Sequence, residues 1–286
     1  MPSRSACRYD LLAVDLDGTL LDRRDRIPAR NREALHRAHE SGVRVVLCTG
    51  RAYAETRPVL RELGLDLDAA VTVFGALVTD VRTERPLAAT PMDADTGRAV
   101  AEVFLAHGYP PVWLSDGANG VDGFEFEAPR RHAGYALWRA WSACRIESRP
   151  TPLPGDLPPP LRISIIGEHD SLAEVAGSLR TQVGDRIVFN ELRVPSARVT
   201  VLEAFAAGVN KWTGIRRLCN AWGIDPQRTV AIGDEVNDVD MLRSAGLGVA
   251  MGNARPEVQS AARVVTASNE ECGVAQLVER VLSGEI

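Results

Sequence analysis

The feature that most constrains this chain is an apolar run that ends in two closely spaced carboxylates. The run extends from Tyr9 to Val14, and Asp15-Leu16-Asp17-Gly18-Thr19-Leu20 follows it directly. Residues i and i+2 of an extended segment share a face, and in parallel α/β sheets ligands bind beyond the carboxyl ends of the strands. Two like charges there need a cation, and Mg²⁺ prefers oxygen ligands. The segment therefore predicts a site for metal-assisted phosphoryl chemistry. An Asp-Gly turn without a function is the alternative.

A second acidic loop, a polar turn and a lysine extend this pattern. The strand-like run from Thr229 to Ile232 is followed by Gly233-Asp234-Glu235-Val236-Asn237-Asp238, and the run from Val43 to Cys48 is followed by Thr49-Gly50-Arg51. Lys211 lies between these two places in the chain. Taken alone, the second acidic loop fits an acidic turn or a helix N-cap. It does not fit a calcium-binding EF-hand loop, because the spacing of acidic positions and the central glycine of that pattern are missing. Three of the four features directly follow apolar strands, which chance rarely produces.

In this order the four features resemble the sequence motifs of the haloacid dehalogenase superfamily of phosphohydrolases. The chain is most similar to the Cof-type branch, which carries a large α/β cap of type IIB between its second and third motifs. The resemblance covers residues 9 to 80 and 198 to 275. It includes the segments Gly246 to Ala254 and Ser268 to Ala275.

The resemblance implies a role for each motif residue. Asp15 would be the nucleophile and form an aspartyl-phosphate. Asp17 would protonate the leaving alcohol and then activate water, while its backbone carbonyl binds the metal. Thr49 would donate its hydroxyl to a phosphoryl oxygen. Lys211 would bring positive charge to the phosphate and to Asp15.

The second acidic loop and the glycines also receive roles from the resemblance. Asp234 would bind Mg²⁺ together with Asp15 and Asp17. Asp238, assigned to the metal site, and Asn237, assigned to the phosphate site, would position metal-bound waters, the lysine or the phosphate. Gly18, Gly50 and Gly233 are interpreted as turn residues that would let backbone N–H groups approach the phosphate. The remaining phosphate-binding positions are Gly18, Gly50 and Arg51.

Two observations set this chain apart from a generic member of the superfamily. Lys211 is the only lysine among 33 basic residues, which indicates a position where a compact ammonium is required and a planar guanidinium does not fit. Related sequences usually have Asn where Phe74 lies, a small residue where Trp212 lies and an acidic residue where Cys272 lies. The first two substitutions place large side chains close to the predicted site. Contacts that the family makes with the leaving group therefore cannot be transferred to this chain.

The alternation of predicted elements indicates an α/β fold with two domains. Strands and helices alternate up to residue 80, which predicts a doubly wound parallel sheet covered on both faces. From Val81 the pattern changes to an α+β unit, and Val199 to Glu203 is interpreted as the return to the first domain. We therefore predict a catalytic core over residues 1–82 and 195–286 and an inserted α+β cap over residues 83–194 that sets substrate specificity.

Composition excludes several classes of protein. A net charge of -5 argues against a nucleic-acid partner. No apolar stretch approaches the roughly 18 residues of a membrane span, and the N-terminus lacks the apolar core of a signal peptide, so we expect a cytoplasmic protein. The five cysteines are scattered and lack CxxC spacing, which makes disulfides and zinc unexpected. We expect a monomer or a weak homodimer.

Three functional hypotheses remain open on the sequence. The leading one is a Mg²⁺-dependent phosphatase for a small phosphorylated metabolite, with a sugar phosphate as one candidate. The second is a phosphotransferase or phosphomutase, and the third is a non-catalytic sensor of a phosphate ligand. Arg130, Arg131 and His132 can bind a second anionic group or be ordinary surface residues. The aromatic residues of the cap can stack on a sugar or form its hydrophobic core: Trp113, Phe124, Phe126, Tyr135, Trp138 and Trp141.

Overall fold

The computed structural model of this chain describes residues 7–194 and 199–286. The chain divides into two compact units. One consists of residues up to Leu87 together with Asn210–Ile286, and we call it the core domain. The other is Ala88–Val209, which we call the inserted domain. Within the described residues, no helix combines the length and the apolar character needed to cross a bilayer.

The elements are numbered along the chain. The strands are β1 (Leu11–Val14), β2 (Arg44–Cys48), β3 (Ala69–Thr72), β4 (Leu77–Asp80), β5 (Pro86–Ala89), β6 (Val112–Leu114), β7 (Gly123–Phe126), β8 (Ile146–Arg149), β9 (Arg162–Gly167), β10 (Ile187–Val194), β11 (Val199–Ala206), β12 (Thr229–Gly233), β13 (Leu247–Ala250) and β14 (Val264–Val265). The helices are α1 (Ala29–Glu40), α2 (Tyr53–Leu63), α3 (Ala94–Ala106), α4 (Ala133–Trp141), α5 (His169–Gln182), α6 (Lys211–Trp222), α7 (Val239–Ser244), α8 (Pro256–Gln259) and α9 (Gly273–Leu282).

The core domain is built on an eight-stranded sheet in the order β14-β13-β12-β1-β2-β3-β4-β5. Strand β1 pairs in parallel with β12 on one side and with β2 on the other. The chain therefore winds outward from β1 in both directions, which confirms the predicted doubly wound α/β sheet. Every residue of β1 is buried, as expected for a central parallel strand.

This topology positions the motif residues. Asp15, Thr49 and Asp234 each follow one of three neighbouring parallel strands, β1, β2 and β12. The carboxyl ends of parallel neighbours lie at the same edge of a sheet, so residues far apart in sequence meet there. The switch in winding direction beside β1 opens the crevice in which ligands of such folds bind.

The inserted domain has its own six-stranded sheet in the order β10-β11-β9-β6-β7-β8. Residues of α3 and α5 pack with the sheet in one hydrophobic core. The interpretation of Val199–Glu203 as the return to the core domain is wrong, because β11 pairs antiparallel with both β10 and β9 inside this sheet. The return lies at Asn210 instead. The predicted boundary at residue 195 falls outside the described residues.

Three of the aromatic residues considered above belong to the core of the inserted domain. Trp113 and Phe126 are each 1% exposed, and with Phe124 they belong to the hydrophobic cluster under α3 and α5. The Trp113 indole Nε1 donates to the carbonyl of Pro158 at 2.8 Å, which satisfies its one polar atom. These rings are therefore not available for stacking on a sugar. Arg131, considered above for a second anionic group, forms an ion pair with Glu125 at 3.0 Å.

A strained backbone position at the start of α9 gives a first prediction. Cys272 adopts φ 59° and ψ 46°, the left-handed region that costs a residue with a side chain about 1–2 kcal/mol. Asn tolerates this region far better. We expect Cys272→Asn to raise the free energy of unfolding by about 0.5–1 kcal/mol, measured by urea denaturation. Cys272→Ala keeps the strain and should give no gain; an equal gain from both variants would refute the explanation.

Candidate active site

The loop after β1 folds tightly around the second acidic loop. Gly18 has φ +76°, and a Cβ on it would lie only 2.2 Å from Oδ2 of Asp234. Only glycine therefore fits there, for both conformational and steric reasons. The hydroxyl of Thr19 donates to Oδ1 of Asp234 at 2.9 Å. Gly18 therefore allows the two loops to approach each other closely.

The Thr49-Gly50-Arg51 turn places a buried hydroxyl at the end of β2. Thr49 is 1% exposed, and its Oγ1 accepts the backbone N–H of Arg51 at 3.1 Å. Since Oγ1 is the acceptor in this bond, the hydroxyl hydrogen can still be donated to a ligand. A Cβ added to Gly50 would meet only open space, so packing does not explain the glycine there.

Lys211 reaches the site because α6 begins close to the loop after β3. Asn210 caps this helix, its side chain accepting the N–H of Thr213 at 2.9 Å. A Cβ on Gly75 would lie 2.0 Å from the carbonyl oxygen of Asn210, and one on Gly214 would lie 2.5 Å from Val71. These two glycines permit the contact that brings the first residue of α6 to the end of the sheet.

The ammonium of Lys211 bridges two buried carboxylates. Its Nζ donates to Oδ1 of Asp15 and to Oδ1 of Asp238, both at 2.6 Å, and the lysine side chain is only 2% exposed. Burial alone would lower the pKa of Lys211, but the two carboxylates outweigh it, so its pKa is raised above its usual value. The lysine is therefore charged, and Asp15 and Asp238 share one counterion.

Asp238 is fully buried and holds its surroundings together. Besides the bond to Lys211, its Oδ2 accepts the backbone N–H groups of Asp234 and Glu235 at 3.0 and 3.1 Å. A Cβ on Gly233 would collide with this carboxyl group at 2.4 Å. A carboxylate has about four acceptor positions, and protein donors use three of them here. Of the roles left open for Asp238, these contacts favour the positioning of the lysine over ligation of a metal.

The site carries surplus negative charge. Carboxylate oxygens of Asp15, Asp234 and Asp238 lie within 4.8 Å of one another. With one ammonium from Lys211, the formal sum is three negative charges and one positive, or -2. Burial raises the pKa of Asp15 well above its usual value, and burial with the nearby charge of Asp238 raises the pKa of Asp234 to about 7. The ionised site therefore calls for a further cation.

The side chain of Asp17 stands apart from this cluster, and Arg51 accounts for its position. Arg51 Nε donates to Oδ2 of Asp17 at 2.9 Å, and its Nη2 donates to Oδ1. The same guanidinium lies 3.5 Å from the carboxylate of Asp25. Arg51 was predicted to bind phosphate, but in this structure its fork-shaped donor set is directed to Asp17. This pairing had no signal in the sequence.

Four further residues lie on the loops and the helix that form the site: Asn237, Phe74, Trp212 and Thr19. The side-chain Oδ1 of Asn237 is buried and makes no hydrogen bond within the described residues. Phe74, which departs from the family pattern, has φ 59° and is 7% exposed, and its backbone N–H donates to the carbonyl of Thr49 at 3.1 Å. Trp212 is partly buried in the first turn of α6. Sequence reasoning gave no role to Thr19, which orients Asp234.

The family match agrees with this geometry. Residues 12–278 match the sequence family described as haloacid dehalogenase-like hydrolase. The chain belongs to this family. The resemblance to the Cof-type branch is confirmed, as is the prediction of a phosphoric monoester hydrolase. In this hydrolase, Asp15, Thr49 and Asp234 lie at the ends of three neighbouring strands of the sheet.

Two relatives and one solved structure illustrate the similarity. At 29% identity the hydrolase is similar to the 5-amino-6-(5-phospho-D-ribitylamino)uracil phosphatase YwtE of Bacillus subtilis, over 96% of this chain and 98% of that protein. At 27% identity it is similar to the pyridoxal phosphate phosphatase YbhA of Escherichia coli, over 94% and 97% respectively. A subclass IIB sugar phosphatase of the superfamily shares its fold with a TM-score of 0.76 and 23% identity, covering 97% of this chain and 100% of that one.

Proposed function

We propose that this hydrolase is a Mg²⁺-dependent phosphatase that cleaves a small phosphorylated metabolite through an aspartyl-phosphate on Asp15. The observation that carries the proposal is the buried bond from Lys211 to Asp15, at 2.6 Å, inside a cluster of three carboxylates. A carboxylate can attack a phosphate dianion only where positive charge offsets the repulsion between them. One ammonium and one divalent cation would supply that charge.

The residues present fit a hard divalent cation. Asp15 and Asp234 offer carboxylate oxygens, the donor atoms that Mg²⁺ prefers, and we assign the backbone carbonyl of Asp17 as the third protein ligand. The surplus charge of -2 would be balanced by the +2 charge of one such ion. The unpaired Oδ1 of Asn237 can accept a hydrogen from a metal-bound water. When bound, the ion would stabilise the negative charge of the transferring phosphoryl group.

The proposed chemistry uses two carboxylates in two steps. In the first step Asp15 forms a bond to phosphorus while the bond from phosphorus to the leaving oxygen breaks, and Asp17 gives that oxygen its proton. In the second step water attacks phosphorus, passes its proton to Asp17, and Asp15 is released with inorganic phosphate. For these proton transfers, one oxygen of Asp17 must part from Arg51.

Thr49 and Lys211 would bind the phosphoryl group rather than react with it. The hydroxyl of Thr49 can donate to a phosphoryl oxygen because its oxygen already accepts from Arg51. Lys211 is held at Asp15 by Asp238, so its charge is in place before the substrate arrives. Positioning of this kind lowers the barrier without reorganisation during the reaction.

The relatives support a broad class of substrate but not one compound. The two relatives act on different phosphorylated compounds, a ribitylaminouracil phosphate and pyridoxal phosphate, at 29% and 27% identity to this chain. We therefore propose a small phosphorylated metabolite and assign the choice among such compounds to the inserted domain. A sugar phosphate stays one candidate, but Trp113, Phe124 and Phe126 do not support it, because they are buried in the core of the inserted domain.

A metal-dependence assay tests the proposal. We expect release of inorganic phosphate from at least one member of a panel that includes pyridoxal phosphate, a ribitylaminouracil phosphate and hexose phosphates, in the presence of Mg²⁺. Chelation should lower the rate by at least about a hundredfold, and added Mg²⁺ should restore it. The Asp15→Asn variant, prepared identically, measures any contaminating phosphatase.

Three outcomes would contradict this proposal. Full activity in the presence of chelator would show that Asp15 and Asp234 do not hold a required cation. Appearance of a phosphorylated second product in place of inorganic phosphate would indicate the phosphotransferase or phosphomutase alternative. Binding of phosphorylated ligands without turnover would indicate the sensor.

A further inference from the structure

One asparagine outside the four motifs contacts both loops that supply the proposed metal ligands. The Nδ2 of Asn253 donates to the carbonyl oxygen of Gly18 at 2.8 Å, and it lies 3.4 Å from Oδ2 of Asp234. Asn253 belongs to one of the two C-terminal segments that carry the family resemblance. Neither segment contributes a group to the chemistry proposed above.

The orientation of this amide is fixed by its other end. Oδ1 of Asn253 accepts the backbone N–H of Asn269 at 3.0 Å. Because the oxygen faces a donor, the NH₂ group must face Gly18 and Asp234. Asn269 is itself anchored, since its buried Nδ2 donates to the carbonyl of Leu21 at 2.8 Å. Each of the two C-terminal segments is therefore hydrogen-bonded to the loop after β1 through one asparagine.

The carboxylate of Asp234 is consequently held at both oxygens. Oδ1 accepts the hydroxyl of Thr19 at 2.9 Å, and Oδ2 lies within reach of the amide of Asn253. Both donors are neutral, so they orient the carboxylate without removing its charge. Each oxygen keeps acceptor capacity for a cation.

We propose that Asn253 is a positioning residue for the divalent cation: its amide fixes Asp234 and the Gly18 backbone relative to each other. This inference rests on the proposed cation site. Groups that orient metal ligands through a hydrogen bond typically contribute a factor of about 10 to 100 in metal affinity. Asn253 is exposed, and its distance to Asp234 is long, so the lower end of that range is expected.

Mn²⁺ binding to the full chain tests the role directly. Mn²⁺ prefers the same oxygen ligands, and free Mn²⁺ is measured by electron paramagnetic resonance, with Mg²⁺ as competitor. We expect Asn253→Ala to raise the Mn²⁺ dissociation constant about tenfold. The thermal midpoint without metal should hardly change, because the side chain is exposed. Asn253→Ser, too short to reach Gly18, gives the same test if the alanine variant does not fold.

The matched control is Gln259→Ala. Gln259 Nε2 donates to the carbonyls of Gly252 and Ala254, so it holds the same segment but donates to neither Gly18 nor Asp234 in the described structure. This control should bind Mn²⁺ as the wild type does. Equal Mn²⁺ affinity of the wild type and Asn253→Ala would overturn the role of Asn253 but leave the proposed cation site intact. Absence of Mn²⁺ binding by the wild type would overturn the cation site and this inference with it.

Discussion

Replacing Asp15 by Asn should abolish turnover. The amide has nearly the same shape as the carboxylate but is not a nucleophile toward phosphorus. Loss of a nucleophile that acts together with its neighbours costs roughly 10⁵ to 10⁶ in kcat. Asp15 is 4% exposed and Lys211 keeps its bond to Asp238, so the variant should fold. Steady-state phosphate release and circular dichroism measure the two effects.

A matched control lies at the other end of the same strand. Asp10 precedes β1 and is paired with Arg228 at the surface, where Oδ1 accepts from Nη2 at 2.7 Å. Asp10→Asn removes the same charge from the same segment, and we expect activity within a few-fold of the wild type. Near wild-type turnover in Asp15→Asn would place the nucleophile elsewhere and refute the proposed chemistry.

Exchanging Lys211 for arginine should lower activity by at least about a hundredfold. The ammonium lies 2.6 Å from both Asp15 and Asp238, a gap that suits a compact point charge. A guanidinium is wider and planar, so it would displace Asp15 or the phosphoryl group by something like an ångström, which can cost roughly 10²-fold. The kcat for the best substrate of the panel measures the effect.

The same substitution should also destabilise the core domain. In an accessible ligand-binding crevice, such as folds of this kind have beside the central strand, the exchange would leave stability unchanged. The structure corrects this expectation, because Lys211 is 2% exposed and lies against buried Cys48 and the start of α6. Overpacking at such a position costs about 1–3 kcal/mol, so the thermal midpoint should fall by several degrees.

The control for this prediction is Arg216→Lys, an exposed position on the same helix. It should change neither kcat nor the thermal midpoint. Turnover of Lys211→Arg within a few-fold of the wild type would show that any cation suffices beside Asp15. In that case the presence of a single lysine in this chain would have no functional meaning.

The regular elements of the core domain were predictable because their signals are local. Helix α1, Ala29–Glu40, has the amphipathic pattern that predicts a helix, and the strand predicted at Thr229 to Ile232 is found at Thr229–Gly233. Strand β8, Ile146–Arg149, was missed because it is a mostly polar edge strand without an apolar run. Strand β11 was assigned to the wrong domain because an apolar strand does not reveal which sheet it joins.

The sequence by itself determined which residues come together at the site. Asp15, Thr49 and Asp234 directly follow buried strands, and parallel neighbours end at the same edge, so their convergence follows from order and pattern alone. Gly18 and Gly233 were predictable as turn residues, but the carboxylates that they approach, those of Asp234 and Asp238, were not.

Only the tertiary structure decided what each charged group contacts. Three sets of contacts show this: the pairing of Asp17 with Arg51, the bridge from Lys211 to Asp15 and Asp238, and the contacts of the Asn253 amide with Gly18 and Asp234. The residues they join lie 19 to 235 positions apart in the chain. Hydrogen bonds depend on distances of a few tenths of an ångström, and local sequence does not encode such distances between loops. Burial of the ammonium is likewise a property of the assembled core domain.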